Sequence, residues 1–295
     1  MQLGGVITSL ITPFKGESID VEGFKKNILF QLEHGISGLL AGGTTGEAPT
    51  LDLDEFKLLI QTAAKTIQKK IPLIVSIGES ATKRSLMKME IATDLGADAL
   101  LIATPAYNKP SQEGLYEHFK AIAASSKIPL ILYNNPSRTG VSIEIKTLVR
   151  LIEIDSIIGI KESSERIQVA QEMLYELPER FTVLSGEDNL TLPLISIGAS
   201  GVMSVLSNLM PKEVVLFVNA ALSGDFSSAR LWQKKLYPYF QACFYESNPV
   251  PIKTMMSLSG KAAGNCRLPL TPLKNENRAK LEALLNLSGQ MAYHD

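Results

Sequence analysis

A lysine at the end of an apolar run is the residue with the clearest chemical potential in this sequence. The run Ile157-Ile158-Gly159-Ile160 leads directly into Lys161 and Glu162, a pattern typical of a buried strand that ends in an ammonium group. Burial disfavours the charged form of a lysine, and a neutral amine beside a cavity can form a Schiff base with a carbonyl compound. Taken alone, such a lysine more often begins a solvated loop, so other residues must decide.

A loop of glycines and threonines offers a second set of chemical groups. The sequence Gly42-Gly43-Thr44-Thr45-Gly46-Glu47 follows a short apolar run. Its glycines let the backbone turn N–H groups toward a ligand, and the hydroxyls of Thr44 and Thr45 add donors, which suits a carboxylate. No Gly-Lys-Ser/Thr follows at the spacing of a phosphate-binding P-loop. By itself, such a loop is more often a simple turn.

Two tyrosines and an arginine follow two further apolar runs. Tyr107 lies in the segment Thr104–Pro110, and Tyr133 begins the segment Tyr133–Gly140, which contains Arg138. A phenol can pass protons in a relay with another hydroxyl, as Schiff-base formation and release require. The guanidinium fork suits a substrate carboxylate. Singly, each residue also fits a structural role, as an amphipathic residue at a strand end or as half of a surface ion pair.

The elements that would position these residues alternate along most of the chain. Short β-branched runs predict eight strands, and stretches of helical periodicity predict a helix after each. The predicted strands are Gly5–Leu10, Gly38–Ala41, Leu73–Ile77, Ala99–Thr104, Leu130–Tyr133, Ile157–Lys161, Thr182–Ser185 and Gly201–Ser204. The predicted helices lie near Val21–His34, Asp54–Lys69, Thr82–Leu95, Gln112–Ala124, Ile143–Leu151, Arg166–Leu177, Leu190–Ile197 and Pro211–Leu222. Asp20, Ser111 and Asp188 are predicted helix caps, and Gly35 and Gly96 predicted helix ends.

Eight strand–helix units predict an α/β fold, a closed (β/α)8 TIM barrel whose active site lies at the carboxyl ends of the strands. Lys161, the threonine loop, both tyrosines and Arg138 should converge on that rim, and together they indicate lysine-mediated chemistry on an acidic carbonyl substrate. A doubly wound open sheet is the alternative. The first predicted strand, however, is not followed by a Gly-rich dinucleotide fingerprint.

The alternation of strand and helix patterns ends after Gly224. Helical patterns follow at Phe226–Phe240, Pro251–Leu258 and Asn275–Leu287, without strands between them. We therefore expect residues 1–224 to form a catalytic barrel and residues 225–295 a C-terminal helical extension. The polar end, Ser288–Asp295, should be frayed.

Composition excludes several functional classes. The formal net charge of −1 and the scattered basic residues argue against a dedicated binder of nucleic acid or membrane surfaces. The long uncharged segment Asn189–Pro211 contains Pro193 and Gly198, and fits a buried helix and strand better than a membrane span. The N-terminus has no secretory-signal pattern, so we expect a cytoplasmic protein. Cys243 and Cys266 lack CxxC spacing, the three histidines lack ligand spacing, and no metal site is expected.

Three motifs carry a family resemblance. They are Gly43-Thr44-Thr45-Gly46-Glu47, Tyr133-Asn134-x-Pro-Ser-Arg138-Thr-Gly140 and Gly159-Ile160-Lys161-Glu162, in this order on the barrel pattern. The set resembles the dihydrodipicolinate synthase family of pyruvate-dependent class I aldolases, whose superfamily also contains N-acetylneuraminate lyase. The resemblance extends from Gly4 to the C-terminal helices.

The resemblance implies a catalytic set of four residues. Lys161 would form the Schiff base with pyruvate, and Tyr133 would act on it as general acid and base. Thr44 and Tyr107 would complete a hydroxyl relay. In the family the tyrosine matching Tyr107 comes from the neighbouring subunit, so a tight homodimer, commonly a dimer of dimers, is implied. Neither a metal nor an organic cofactor is implied.

The resemblance also implies the groups that bind substrate. Thr45 and its adjoining backbone would hold the carboxylate of pyruvate, and Arg138 would hold the carboxylate of L-aspartate-4-semialdehyde. Gly186 and the backbone of Met203 would line the lysine pocket. The motifs leave the role of Glu162 unexplained, and we expect it to support the lysine without contacting substrate. The product would enter diaminopimelate and lysine biosynthesis.

One regulatory feature of the family is missing from the sequence. Many bacterial members are inhibited by L-lysine at a dimer-interface site built from polar side chains. The matching positions here are Ala48, Leu53, Phe56, Ser80, Arg84 and Ala106. A cationic Arg84 repels a cationic amino acid, and the apolar residues cannot replace polar contacts, so weak or absent inhibition is predicted.

Two other functions compete with the synthase activity. An aldolase for sialic acid or another 2-oxo sugar acid would use the same lysine, but a polyhydroxylated substrate would want neutral hydrogen-bonding groups at Arg138. A barrel that only binds or regulates would not need the complete lysine, tyrosine and threonine set.

Overall fold

Eight parallel strands close into a barrel, as predicted. The computed structural model describes residues 3–291, with side chains as far as residue 286. The barrel strands are Gly5–Ser9, Gly38–Ala41, Leu73–Ser76, Ala99–Ala103, Leu130–Asn134, Ile157–Glu162, Thr182–Ser185 and Gly201–Ser204. Each strand pairs with its neighbours in chain order, and the first also pairs with the last. The open-sheet alternative is therefore wrong.

Helices surround the barrel, one after each strand. Their bounds are Val21–Glu33, Leu53–Ile67, Thr82–Asp94, Gln112–Ser125, Ile145–Leu151, Ile167–Glu176, Thr191–Ser196 and Pro211–Leu222. The side chains of Asp20 and Ser111 accept hydrogen bonds from the first turns of their helices, as predicted. Gly35 and Gly96 follow helix ends with φ of +72° and +96°, values that favour glycine.

The predicted cap at Asp188 is wrong. Its carboxylate accepts hydrogen bonds from the backbone N–H groups of Val205 and Leu206, at 2.9 Å and 3.0 Å. Asp188 therefore supports the turn after the neighbouring strand, because adjacent parallel strands end side by side. Burial raises the pKa of this carboxyl, while the two N–H groups oppose that effect.

The shortest elements of secondary structure were not predicted from the sequence. A hairpin joins Phe14–Lys15 to Ser18–Ile19, and a one-turn helix covers Pro136–Thr139. Three 3-10 turns cover Ala48–Thr50, Asp188–Leu190 and Leu206–Asn208. Elements of two to four residues are too short to show a periodicity in the sequence.

The hydrophobic core has two layers. Inside the barrel, Leu40, Ile131, Leu184 and Met203 belong to a buried cluster that includes the ring of Tyr133. A larger cluster fills the space between the strands and the helices. The inner layer closes the barrel below the rim and leaves the strand ends available to a ligand.

Three helices follow the barrel, at Phe226–Ala242, Val250–Leu258 and Asn275–Met291. The rings of Phe217 and Phe240 lie 5.9 Å apart and join the last barrel helix to the extension. The hydrophobic core continues across the predicted boundary at residue 224, which stays a prediction. The predicted frayed end begins inside the last helix and continues outside the described residues. Within residues 3–291, no helix is long and apolar enough to cross a membrane.

Candidate active site

Lys161 lies near the carboxyl end of its strand and is 6% exposed. The parallel register pairs it with Tyr133 on the neighbouring strand. Its Nζ lies 4.5 Å from the centroid of the Tyr133 ring. Among the described residues, no oxygen lies within hydrogen-bond or ion-pair distance of this amine. The predicted nucleophile is thus buried, held against an aromatic ring and free of a polar partner.

Gly186 packs against the lysine stem, at the position where the sequence predicts it. A methyl group on Gly186 would lie 3.0 Å from Lys161 Cε and 1.8 Å from Ser163 Oγ. Only glycine therefore fits beside the lysine without displacing these side chains. Met203 is fully buried in the barrel interior, in the same cluster as Tyr133.

The phenol of Tyr133 is held by a neighbouring amide. Asn135 Nδ2 donates a hydrogen bond to Tyr133 Oη over 2.7 Å. Because the phenol oxygen accepts this bond, its own hydrogen stays available to a ligand or to a second hydroxyl. In the described chain the Thr44 hydroxyl makes no hydrogen bond to this oxygen, so the predicted relay between them stays a prediction.

The threonine loop is shaped by two residues in left-handed backbone conformations, Gly42 and Glu47, with φ of 63° and 55°. Thr45 is buried, and its Oγ1 accepts a 2.9 Å hydrogen bond from Asn248 Nδ2. Thr44 is half-buried. The loop therefore presents two hydroxyls at the barrel rim, one of them fixed by the C-terminal extension.

A buried ion pair anchors the end of this loop. Glu47 Oε1 lies 2.7 Å from Lys253 Nζ, and Glu47 Oε2 accepts a hydrogen bond from the backbone N–H of Arg267 at 2.9 Å. Burial lowers the pKa of Lys253, and the charge of Glu47 partly opposes that shift. Removing either charge would leave the other unpaired in the interior.

Arg138 and Tyr107 lie at the solvent side of the rim. Arg138 is exposed on the one-turn helix, and its Nη2 donates to the backbone carbonyl of Asn248 over 3.4 Å. Tyr107 is 92% exposed and has a φ of +72°. No hydrogen bond or ring contact joins Tyr107 to Lys161, Tyr133 or Thr44 within the described chain. Lys161, Tyr133, Gly186 and Met203 thus lie together in the barrel. Thr45 and Arg138 are joined through Asn248.

Glu162 follows Lys161 on the same strand, and its side chain forms no hydrogen bond or ion pair with the lysine in the described chain. It is buried, and its carboxylate accepts hydrogen bonds from Asn134 Nδ2 at 2.8 Å and from Ser164 N at 2.6 Å. Burial raises its pKa, and these donors oppose the shift. The carboxylate ties two strand ends together, which agrees with the supporting position predicted for it.

Glu187 is a charged residue of the rim that sequence reasoning missed. Burial raises the pKa of its carboxyl to about 7, although the positive charge of Lys161 partly opposes the shift. It lines a cavity of about 430 Å³ with Glu165, Asn189, Phe240 and Tyr245. In the described part of the chain, no group of three His, Cys, Asp or Glu could hold a metal ion.

A sequence model of the Dihydrodipicolinate synthetase family matches residues 2–288. The chain belongs to this family. It is 43% identical over 282 residues to the 4-hydroxy-tetrahydrodipicolinate synthase of Methanocaldococcus jannaschii, covering 95% of this chain and 97% of that one. Members of the family thus resemble this chain along nearly their whole length.

Solved family members have the same fold. The dihydrodipicolinate synthase of Aquifex aeolicus superimposes with a TM-score of 0.96 at 42% identity, covering 97% of this chain and 98% of that chain. The dihydrodipicolinate synthase (DHDPS) of Cyanidioschyzon merolae, solved with lysine bound, gives a TM-score of 0.94 at 32% identity. The match covers 97% of this chain and 98% of that chain. The resemblance seen in the sequence motifs therefore extends to the whole family fold.

Proposed function

We propose that this chain condenses pyruvate with L-aspartate-4-semialdehyde, as a 4-hydroxy-tetrahydrodipicolinate synthase of diaminopimelate and lysine biosynthesis. The observation that carries the proposal is the buried amine of Lys161, which lies against Tyr133 without a polar partner in the described chain. Family membership and the names of full-length relatives support these substrates. The enzyme is a Schiff-base-forming lyase.

Lys161 begins the reaction. Its Nζ adds to the ketone carbon of pyruvate, and loss of water leaves an iminium ion. Thr45 and the backbone N–H groups of its loop hold the carboxylate. The iminium withdraws electrons from the methyl group, so a methyl proton leaves and an enamine forms. Tyr133, with Thr44 as its relay partner, carries these protons.

The second substrate then reacts with the enamine. The enamine carbon attacks the aldehyde carbon, and the aldehyde oxygen takes a proton to become a hydroxyl. The amine of the same substrate attacks the iminium carbon, which closes the ring and releases Lys161. Arg138 holds the substrate carboxylate, and Gly186 and Met203 line the pocket. No step calls on a metal or an organic cofactor.

The active unit is a homodimer in which Tyr107 completes the site of the partner subunit. A side chain that is 92% exposed and contacts nothing in its own site supports this arrangement. Mixing two weakened variants, Tyr107→Phe and Lys161→Met, tests it. If Tyr107 acts across the interface, the mixed dimer contains one complete site and regains activity. A mixture no more active than its components would contradict the proposal.

Borohydride reduction in the presence of pyruvate tests the activity. We expect mass spectrometry to find one reduced pyruvate adduct, on Lys161, and a condensation assay to show turnover of L-aspartate-4-semialdehyde. An adduct accompanied by cleavage of N-acetylneuraminate, without semialdehyde turnover, would instead indicate a sugar-acid aldolase. Absence of any adduct would refute lysine-mediated catalysis.

A further inference from the structure

Asn248 connects the two sites that the proposed function assigns to substrate carboxylates. Its Nδ2 donates to Thr45 Oγ1 over 2.9 Å, and its backbone carbonyl accepts from Arg138 Nη2 over 3.4 Å. Asn248 is buried and lies in the C-terminal extension, just before the helix Val250–Leu258. One residue outside the barrel therefore touches both the pyruvate-binding threonine and the semialdehyde-binding arginine.

The hydrogen bond from Asn248 determines what the Thr45 hydroxyl can do. A hydroxyl has one hydrogen to donate and two lone pairs with which to accept. The amide of Asn248 uses one lone pair, and no protein acceptor takes the Thr45 hydrogen in the described chain. The hydrogen is therefore left for a ligand, and a carboxylate is the strongest acceptor that the proposed substrates offer.

We propose that Asn248 is a positioning residue that orients the Thr45 hydroxyl as a donor to the carboxylate of pyruvate. This inference rests on the proposed function, because it takes pyruvate as the ligand of Thr45. Asn248 acts through the threonine and does not itself touch pyruvate. The extension thereby sets the affinity of the barrel site for its first substrate.

The two contacts of Asn248 differ in how they respond to mutation. Thr45 is bound by the side chain, whereas Arg138 is bound by the backbone carbonyl, which every substitution keeps. Replacing the side chain should therefore weaken pyruvate binding and leave semialdehyde binding nearly unchanged. A merely structural role would lower both, or would reduce the amount of folded protein.

The test measures the fraction of chain trapped by borohydride as a function of pyruvate concentration, without the semialdehyde. For Asn248→Ala we expect the half-saturating pyruvate concentration to rise about tenfold, as for loss of one charge-assisted hydrogen bond. Asn248→Asp keeps the shape, but its carboxylate takes the Thr45 hydrogen and repels pyruvate, so a rise of about 100-fold is expected. Ser247→Ala, at an exposed neighbour, is the matched control.

A double-mutant cycle shows whether Asn248 acts through Thr45. In a Thr45→Val background, adding Asn248→Ala should change the half-saturating concentration by less than about twofold. Additive effects would overturn the proposal, and so would an Asn248→Asp variant that binds pyruvate like the unmodified chain. Circular dichroism shows whether Asn248→Ala is folded. If it is not, the isosteric Asn248→Asp variant still tests the prediction. If the unmodified chain itself traps no pyruvate, the proposed function is refuted. That result is distinct from any difference between the unmodified chain and the Asn248 variants.

Discussion

Two lysines are buried in the described part of the chain, and they differ in what surrounds the ammonium group. Lys253 is 1% exposed, and its Nζ has three oxygen partners: Glu47 Oε1 at 2.7 Å and the carbonyls of Thr12 and Asn265, each at 3.0 Å. An ammonium has three hydrogens to donate, so this lysine is fully satisfied. It joins the first barrel loop, the threonine loop and the C-terminal extension.

Lys161 has the opposite surroundings. It is nearly as buried, but within residues 3–286 no carboxylate or carbonyl receives its hydrogens. Glu187 is close enough for its pKa to respond to the charge of Lys161, yet the two form no ion pair. An amine left without acceptors in the interior contributes nothing to stability and remains free to react.

Both lysines are buried, so burial does not distinguish the structural lysine from the proposed nucleophile. The hydrogen-bond partners of the amine do. Both side chains are buried, and a buried polar group costs free energy unless it has hydrogen-bond partners. At Lys253 an ion pair and two carbonyls offset that cost, and the chain gains a connection between distant segments. At Lys161 no protein acceptor in the described chain receives a hydrogen, and the amine lies against the ring of Tyr133. Such surroundings suit a site where a reacting molecule binds.

Replacing each lysine by methionine, of similar length and without charge, is the strongest test of this difference. For Lys161→Met we expect the condensation rate to fall by at least about 1,000-fold, because no other group can form the imine. Its free energy of unfolding should change by less than about 1 kcal/mol, since no partner is left unpaired. Assay and urea unfolding measure the two quantities. A large loss of stability would mean that Lys161 has a structural partner.

At Lys253 the same substitution should instead have its main effect on stability. Lys253→Met leaves Glu47 as an unpaired buried charge, so we expect a loss of about 3–5 kcal/mol in the free energy of unfolding. The double variant Glu47→Gln/Lys253→Met should regain part of this stability, because no isolated charge remains. Urea unfolding of both variants checks the prediction. A loss below about 1 kcal/mol in the single variant would contradict it.

The barrel and the lysine could be predicted from sequence because their signals are local. A strand buried on both faces is a continuous apolar run, and Lys161 ends such a run. The threonine loop and Tyr133 likewise follow directly from strand ends. Once the barrel was inferred, these residues had to lie on one rim.

The supporting contacts of the site could not be predicted in this way. Asn248 and Thr45 are 203 residues apart in the chain, and Lys253 and Glu47 are 206 apart. A single asparagine or lysine has no periodicity, and nothing near it in sequence indicates which distant residue it will meet. The burial of Glu187 likewise depends on helix Phe226–Ala242, which contributes Phe240 to the same cavity.

Glu187, whose pKa responds to the charge of Lys161, gives a smaller, pH-dependent test. The folded pKa of Glu187, about 7, lies above the ordinary value of 4.5, so the folded chain holds a proton that the unfolded chain releases. The stability contributed by this proton is complete below pH 4.5 and is lost as the pH rises through 7. Glu187→Gln mimics the protonated carboxyl at every pH. Its Tm should therefore nearly equal that of the unmodified chain near pH 4.5 and exceed it by about 5 °C at pH 8.

Thermal unfolding of both proteins across this pH range provides the measurement. An equal Tm difference at all pH values would mean that the substitution acts through packing and not through the charge. A variant that is as stable as the unmodified chain near pH 4.5 but less stable at pH 8 would mean that Glu187 is stabilised as an anion. Lys161 would then have a carboxylate partner after all, and the contrast with Lys253 would fail.

The smallest expected effect concerns a third lysine, Lys88, which is partly buried and paired. Its Nζ forms an ion pair with Glu79 and lies 5.0 Å from the centroid of the Phe56 ring. Phe56 and the exposed Arg84 are two of the positions at which the family resemblance predicts the lysine-inhibition site. Free L-lysine would therefore meet two cations and an apolar ring already covered by an ammonium group. We expect low-millimolar L-lysine to leave the condensation rate unchanged, measured against potassium chloride at equal ionic strength. A fall by half would mean that Lys88 can leave Phe56 and that its ion pair, unlike that of Lys253, is not a fixed part of the structure.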